Sequence, residues 1–77
     1  MALIRSFKRK HMDRNSIHDE IEATYTSFER DGRIFIQIDS YGRRTRERPH
    51  QKSQSIQLDR AGAVASANII RQEFHLD

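Results

Sequence analysis

The chain has 77 residues, 14 Lys and Arg against 11 Asp and Glu, four His, no Cys and only 35% apolar residues. At this length a single small domain with a thin core is expected, and the absence of Cys excludes both a disulfide staple and a thiolate metal site. No apolar run approaches the ~18 residues of a membrane helix and no signal-peptide h-region is present, so we expect a cytoplasmic protein with no membrane role, stabilised by self-association.

Residues 1–16 read as a basic, partly ordered arm, with Leu3, Ile4 and Phe7 suggesting an edge strand around 2–7. Residues 17–77 read as one domain. From Ile21 the pattern has period two: Ile21, Ala23, Tyr25 and Ser27 alternate with Glu22, Thr24, Thr26 and Phe28. Asp31-Gly32 follows, a strong hairpin signal, because a type I′ turn needs positive φ at both central positions. Ile34, Ile36 and Ile38 then alternate with Phe35, Gln37 and Asp39.

A two-residue loop at Asp31-Gly32 fixes the pairing. Arg30 faces Arg33, Phe28 faces Phe35, Tyr25 faces Ile38 and Ala23 faces Ser40. Both apolar alternations then share one face: Ile21, Ala23, Tyr25, Ile34, Ile36 and Ile38, expected to be the core. The other face carries Phe28, Phe35, Thr24, Thr26, Gln37, Asp39, Glu22 and Tyr41.

Residues 42–52 form a basic excursion containing Pro49, and alternation resumes at Ser53 with Ile56 and Leu58 on one face. Asp59 suits an N-cap, and residues 60–75 read as a helix. Its stripe of Ala63, Val64, Ala67, Ile70 and Phe74 is expected to face the sheet. Ala65, Ile69 and Leu76 lie on the opposite side and suggest a homodimer interface. The expected fold is α+β: an antiparallel β-meander of three to four strands with one C-terminal helix packed on one face.

Charge comes in blocks. Arg5, Lys8, Arg9 and Lys10 give residues 1–12 a charge of +4, and residues 13–41 carry −4. Arg43, Arg44, Arg46, Arg48 and Lys52 against Glu47 return +4 over residues 42–52, and the remainder carries −1. Clustered Lys and Arg attract phosphate backbones by counterion release.

No catalytic constellation appears. The His residues at 11, 18, 50 and 75 lack metal-ligand spacing, and neither a nucleophile elbow nor a Gly-rich phosphate loop is present. We therefore expect no enzyme, no cofactor, no metal and no small-molecule substrate. The polar sheet face and its basic margin point to single-stranded DNA or RNA, which binds through cationic grooves and aromatic stacking platforms. On this reading Phe28, Phe35 and Tyr41 stack bases. Arg30, Arg33, Arg43, Arg44, Arg46, Arg48 and Lys52 bind phosphates, and Gln37 hydrogen-bonds. The alternative is a protein-interaction or regulatory subunit.

The element order resembles the transcriptional coactivator PC4 family of single-stranded DNA-binding domains. The matching pieces are Phe28 to Gly32, the run Arg33-Ile34-Phe35-Ile36-Gln37-Ile38, Tyr41, Pro49 to Lys52, Ile56-Gln57-Leu58-Asp59 and the helix, over about residues 21–75. The resemblance implies a homodimer with helices at the subunit interface and sheets that bind single-stranded DNA. It puts Arg33 in the place of a basic DNA-contacting residue. It puts Phe28 in the place of an aromatic, if one residue is inserted in the turn. Asp39 and Gly42 depart from the family's basic residue and stacking aromatic. The stretches Asn15 to His18 and Lys52 to Gln57 also look like short bacterial proteins, some described as methionyl-tRNA formyltransferases. This chain is too small for a folate site and a tRNA platform.

Overall fold

Asp31 and Gly32 turn the chain with φ of 55° and 75°, the paired positive values that a two-residue I′ loop requires. That turn joins β2 (Ala23–Arg30) to β3 (Arg33–Tyr41) in a computed structural model that describes residues 1–41 and 52–77, with backbone alone at 52 and 53. The two strands pair antiparallel in the expected register, from Arg30↔Arg33 to Ala23↔Ser40.

β4 (Lys52–Leu58) pairs antiparallel with β3, setting Ile36 opposite Leu58, Gln37 opposite Gln57 and Ile38 opposite Ile56. The ladder shifts register between Ser40 and Tyr41. β1 (Ala2–Ile4) completes the sheet by running parallel to β4, with Ala2 beside Ile56 and Ile4 beside Leu58. The fold is α+β, with four strands in the order β1-β4-β3-β2 and one C-terminal helix, α1 (Arg60–Phe74).

The sheet is therefore mixed, which corrects the expectation of a pure antiparallel meander. Residues 5–22 carry the chain from one edge strand to the other, so β1 cannot be a hairpin neighbour of β2. Nothing in the alternation of residues 2–7 states its partner, because a three-residue edge strand has too little pattern to specify direction.

α1 starts where Asp59 caps it. The Asp59 carboxylate accepts from the Gly62 amide at 2.9 Å, satisfying one of the free N–H groups of the first turn. The helix ends at His75, whose left-handed backbone (φ 56°) carries an amide that donates to the Arg71 carbonyl.

The helix meets β3 and β4 through its beginning only. Gly62 is buried, Ala63, Ala65 and Ser66 are half-buried, and every residue from Ala67 onward is exposed. The expected sheet-facing stripe is thus mostly exposed: only Ala63 is half-buried, while Val64, Ala67, Ile70 and Phe74 (71% accessible) are exposed. Gly62 explains the difference. A Cβ there would stand 2.0 Å from the Ile4 carbonyl oxygen and 3.3 Å from the Leu58 side chain. The closest approach of helix to sheet is therefore at residue 62, not along the alanines.

The anticipated core face is correctly grouped but thinly covered. Leu58 is the one buried apolar residue among those described; Ile36 and Ile38 are half-buried, while Ile34 (66%), Tyr25 (78%) and Ile21 are exposed. The accessible surface is 7646 Å², where a monomeric globular protein of this mass exposes about 4,900 Å². The radius of gyration, 14.8 Å, likewise exceeds the roughly 11–12 Å of a compact domain of this length.

Gly62→Ala raises intrinsic helix propensity by about 1 kcal/mol, yet it forces a methyl into the Ile4 carbonyl. We expect a net loss of about 1–3 kcal/mol, read as a lower urea midpoint. An equal or higher midpoint means that the contact is not close-packed in solution.

Candidate nucleic-acid interface

Successive side chains of a strand alternate faces, so the register places Phe28, Phe35, Gln37 and Gln57 together opposite the helix layer. The Phe28 and Phe35 rings stack with centroids 5.5 Å apart and planes 20° from parallel. Both are half-buried. The Arg33 guanidinium sits 5.0 Å above the Phe35 ring, within cation–π range. Leu3, Phe28, Arg30, Phe35, Gln37 and Gln57 line a shallow depression of about 520 Å³ on this face.

Beside the rings runs a ladder of hydrogen bonds. Gln57 Nε2 donates to Gln37 Oε1 at 2.9 Å, and Gln37 Nε2 donates to both Asp39 oxygens at 3.0 and 3.3 Å. The Ser55 hydroxyl also donates to Asp39, which is buried. Asp39 is thus held within the sheet's own polar network, where an exposed Asp39 would repel a phosphate. Further along, the Tyr41 and Thr24 hydroxyls are 2.9 Å apart and hydrogen-bonded.

At the other end of the face, Arg5 Nε donates to Asp59 Oδ2 at 2.9 Å and Arg33 donates to the same oxygen at 3.3 Å. Asp59 is only 4% accessible. The Gly62 amide donor holds its carboxyl below the usual value, and the charges of Arg5 and Arg33 add to this against the opposing effect of burial.

The structure therefore brings Phe28, Arg30, Arg33, Phe35 and Gln37 into one patch, with Tyr41 at its far end. Arg43, Arg44, Arg46 and Arg48 lie outside the described residues, and Lys52 is placed by its backbone alone, paired with Tyr41. Of the helix residues suggested for a dimer, Ala65 is half-buried while Ile69 and Leu76 are exposed.

Three contributors escaped the sequence reading. Arg5 joins the patch only because β1 lies beside β4, a long-range pairing without a local signal. Gln57 and Ser55 join through the β3–β4 register. Their signal was available, since both alternate with Ile56 and Leu58 and so belong to the face opposite the apolar one.

Comparison of the chain with protein families, with curated proteins and with solved structures gives no match. Among the described residues no helix is long and apolar enough to cross a membrane.

Two measurements test this geometry. A double-mutant cycle on Phe28→Ala and Phe35→Ala should return a coupling of about 0.5–1.5 kcal/mol in unfolding free energy; zero coupling separates the rings. The depressed Asp59 carboxyl should stabilise the fold above its unfolded value near pH 4, with that contribution lost as pH falls through the lower folded value. Asp59→Asn keeps a cap acceptor without the charge, so its Tm should depend less on pH below about 4 than that of the unmodified chain. Parallel acid limbs contradict the assignment.

Proposed function

We propose that the protein binds single-stranded DNA or RNA as a homodimer, through the exposed sheet face and the basic 42–52 segment. The observation that carries this reading is the stacked Phe28–Phe35 pair, flanked by Arg30 and Arg33 and bordered by the Gln37–Gln57 amides. Any base can stack on an aromatic face, so such a platform suits single strands of mixed sequence. Arg33 already covers Phe35, which leaves Phe28 as the first stacking surface and Arg33 as a second planar group. Gln37 and Gln57 offer amides to base edges, and Arg30 with the arginines of 42–52 would neutralise phosphates.

The PC4-like resemblance agrees with this use of the sheet, and the mixed topology adds β1 beyond what that resemblance implied. The cysteine-free sequence suits the cytoplasm. We assign no catalytic role and no cofactor to the chain.

The homodimer is supported by the apolar side chains that stay exposed on the second half of α1, Ile69 among them. Ala65 and Ile69 on one side of α1, with Leu76 just beyond its end, form the proposed seam. The same exposed helix favours the alternative of a regulatory subunit docking another protein; a specific protein partner co-purifying without nucleic acid would select it.

Oligo-dT should bind with Kd of about 1 µM or below at low salt, and weaken about tenfold or more between roughly 50 and 200 mM salt. Fluorescence anisotropy checks both, and salt-independent binding contradicts the proposal. Sedimentation at high micromolar concentration should give twice 9.1 kDa, whereas a mass of 9.1 kDa rejects the dimer.

A further inference from the structure

A groove of about 900 Å³ opens between the β2–β3 turn and the first turns of α1, a volume within the range of ligand sites. Its walls are apolar at Ile34 and Val64, and Asn68 stands two turns along the helix. Arg5, Arg33 and Arg60 line it against a single carboxylate, Asp59.

That carboxylate is already engaged, Oδ1 by the Gly62 amide and Oδ2 by Arg5 and Arg33. Three positive side chains and one negative leave the groove at +2. The cationic character belongs to the side chains, because the Asp59 cap already occupies the helix end. The Arg5 and Arg33 side chains are 69% and 56% accessible. Each guanidinium has five N–H donors, so one bond to Asp59 leaves most of its donor capacity. Arg33 also lies over Phe35, so one side chain borders both the groove and the aromatic platform.

We propose that this groove receives a phosphate of the strand that stacks on the Phe28 platform beside Arg33. Arg5, Arg33 and Arg60 are its donors, and Ile34 and Val64 pack against the sugar. A guanidinium presents a planar fork that matches two phosphate oxygens, which suits a cluster of three Arg better than a point charge would. The inference rests on the sheet-face reading and extends the path of the strand around the end of the sheet. It adds Arg5 and Arg60 to the binding residues. A free nucleotide presents the same phosphate chemistry, and the test separates the two sources.

Arg60 is exposed and outside the Asp59 hydrogen bonds, so Arg60→Ala should leave Tm unchanged. Anisotropy with oligo-dT over a salt series should show a Kd raised about threefold to tenfold and a salt slope shallower by about 0.7, the loss of one single-strand phosphate contact. Arg60→Lys should recover the slope. If the unmodified chain binds oligo-dT and Arg60→Ala matches it in Kd and slope, the groove assignment fails while the sheet-face reading stands. If thymidine monophosphate binds as tightly as the oligonucleotide and with the same Arg60 dependence, the groove is a free-nucleotide site and the strand path is wrong. No binding of oligo-dT at low salt overturns both readings.

Discussion

The Asp59 carboxylate joins four parts of the chain. It ends β4, caps α1 through the Gly62 amide, holds Arg5 as the chain leaves β1, and holds Arg33 as β3 leaves the turn. Exposed ion pairs between Arg and a carboxylate contribute little on their own. Here the acceptor is buried while its partners reach water, so the geometry is set by the acceptor. Asp59 thereby ties the start of α1, the residue that follows β1 and the Arg33 that lies over Phe35 to one group. Residues that would bind a ligand and residues that hold the fold are thereby the same at this end of the sheet.

The hairpin was legible because two local rules converge on it. A two-residue loop with positive φ at both positions sets the register, and the alternation of Ile34, Ile36 and Ile38 sets the face. The Asp59 cap was equally local. What escaped were the partner of β1 and the seat of the helix, both of which depend on contacts distant in sequence. The parallel pairing of Ala2–Ile4 with Ile56–Leu58 spans 54 positions, and no residue near Ala2 encodes it. The helix stripe failed for a related reason. Periodicity reports which residues share a face, whereas the approach of the helix is decided by the lack of a side chain at Gly62 over the Ile4 carbonyl. In the candidate interface, Phe28 and Phe35 were placed from the turn alone, while Arg5 required the β1 pairing.

The two faces of the sheet divide the chemistry. One offers apolar side chains that a single helix covers only at its start, and the other offers rings, amides and guanidiniums. A chain with 35% apolar residues cannot cover both. Leaving the apolar face open suits a protein completed by a second chain, because the contacts that finish its core also fix its assembly. In the proposed homodimer, association and folding would draw on the same surface.

The parallel edge strand has a kinetic side. The β2–β3 hairpin contains all its own pairing information within residues 23–41 and can close on a microsecond scale. Ala2–Ile4 must instead wait until Ile56–Leu58 exists and has docked on β3, a loop closure of high contact order. Until β1 pairs, the outer edge of β4 is unpaired, and the Ile4 carbonyl that seats Gly62 is missing. Ile4 thus links β1 to α1, and a chain shortened from its N-terminal side would lose both the edge strand and the seat of its helix.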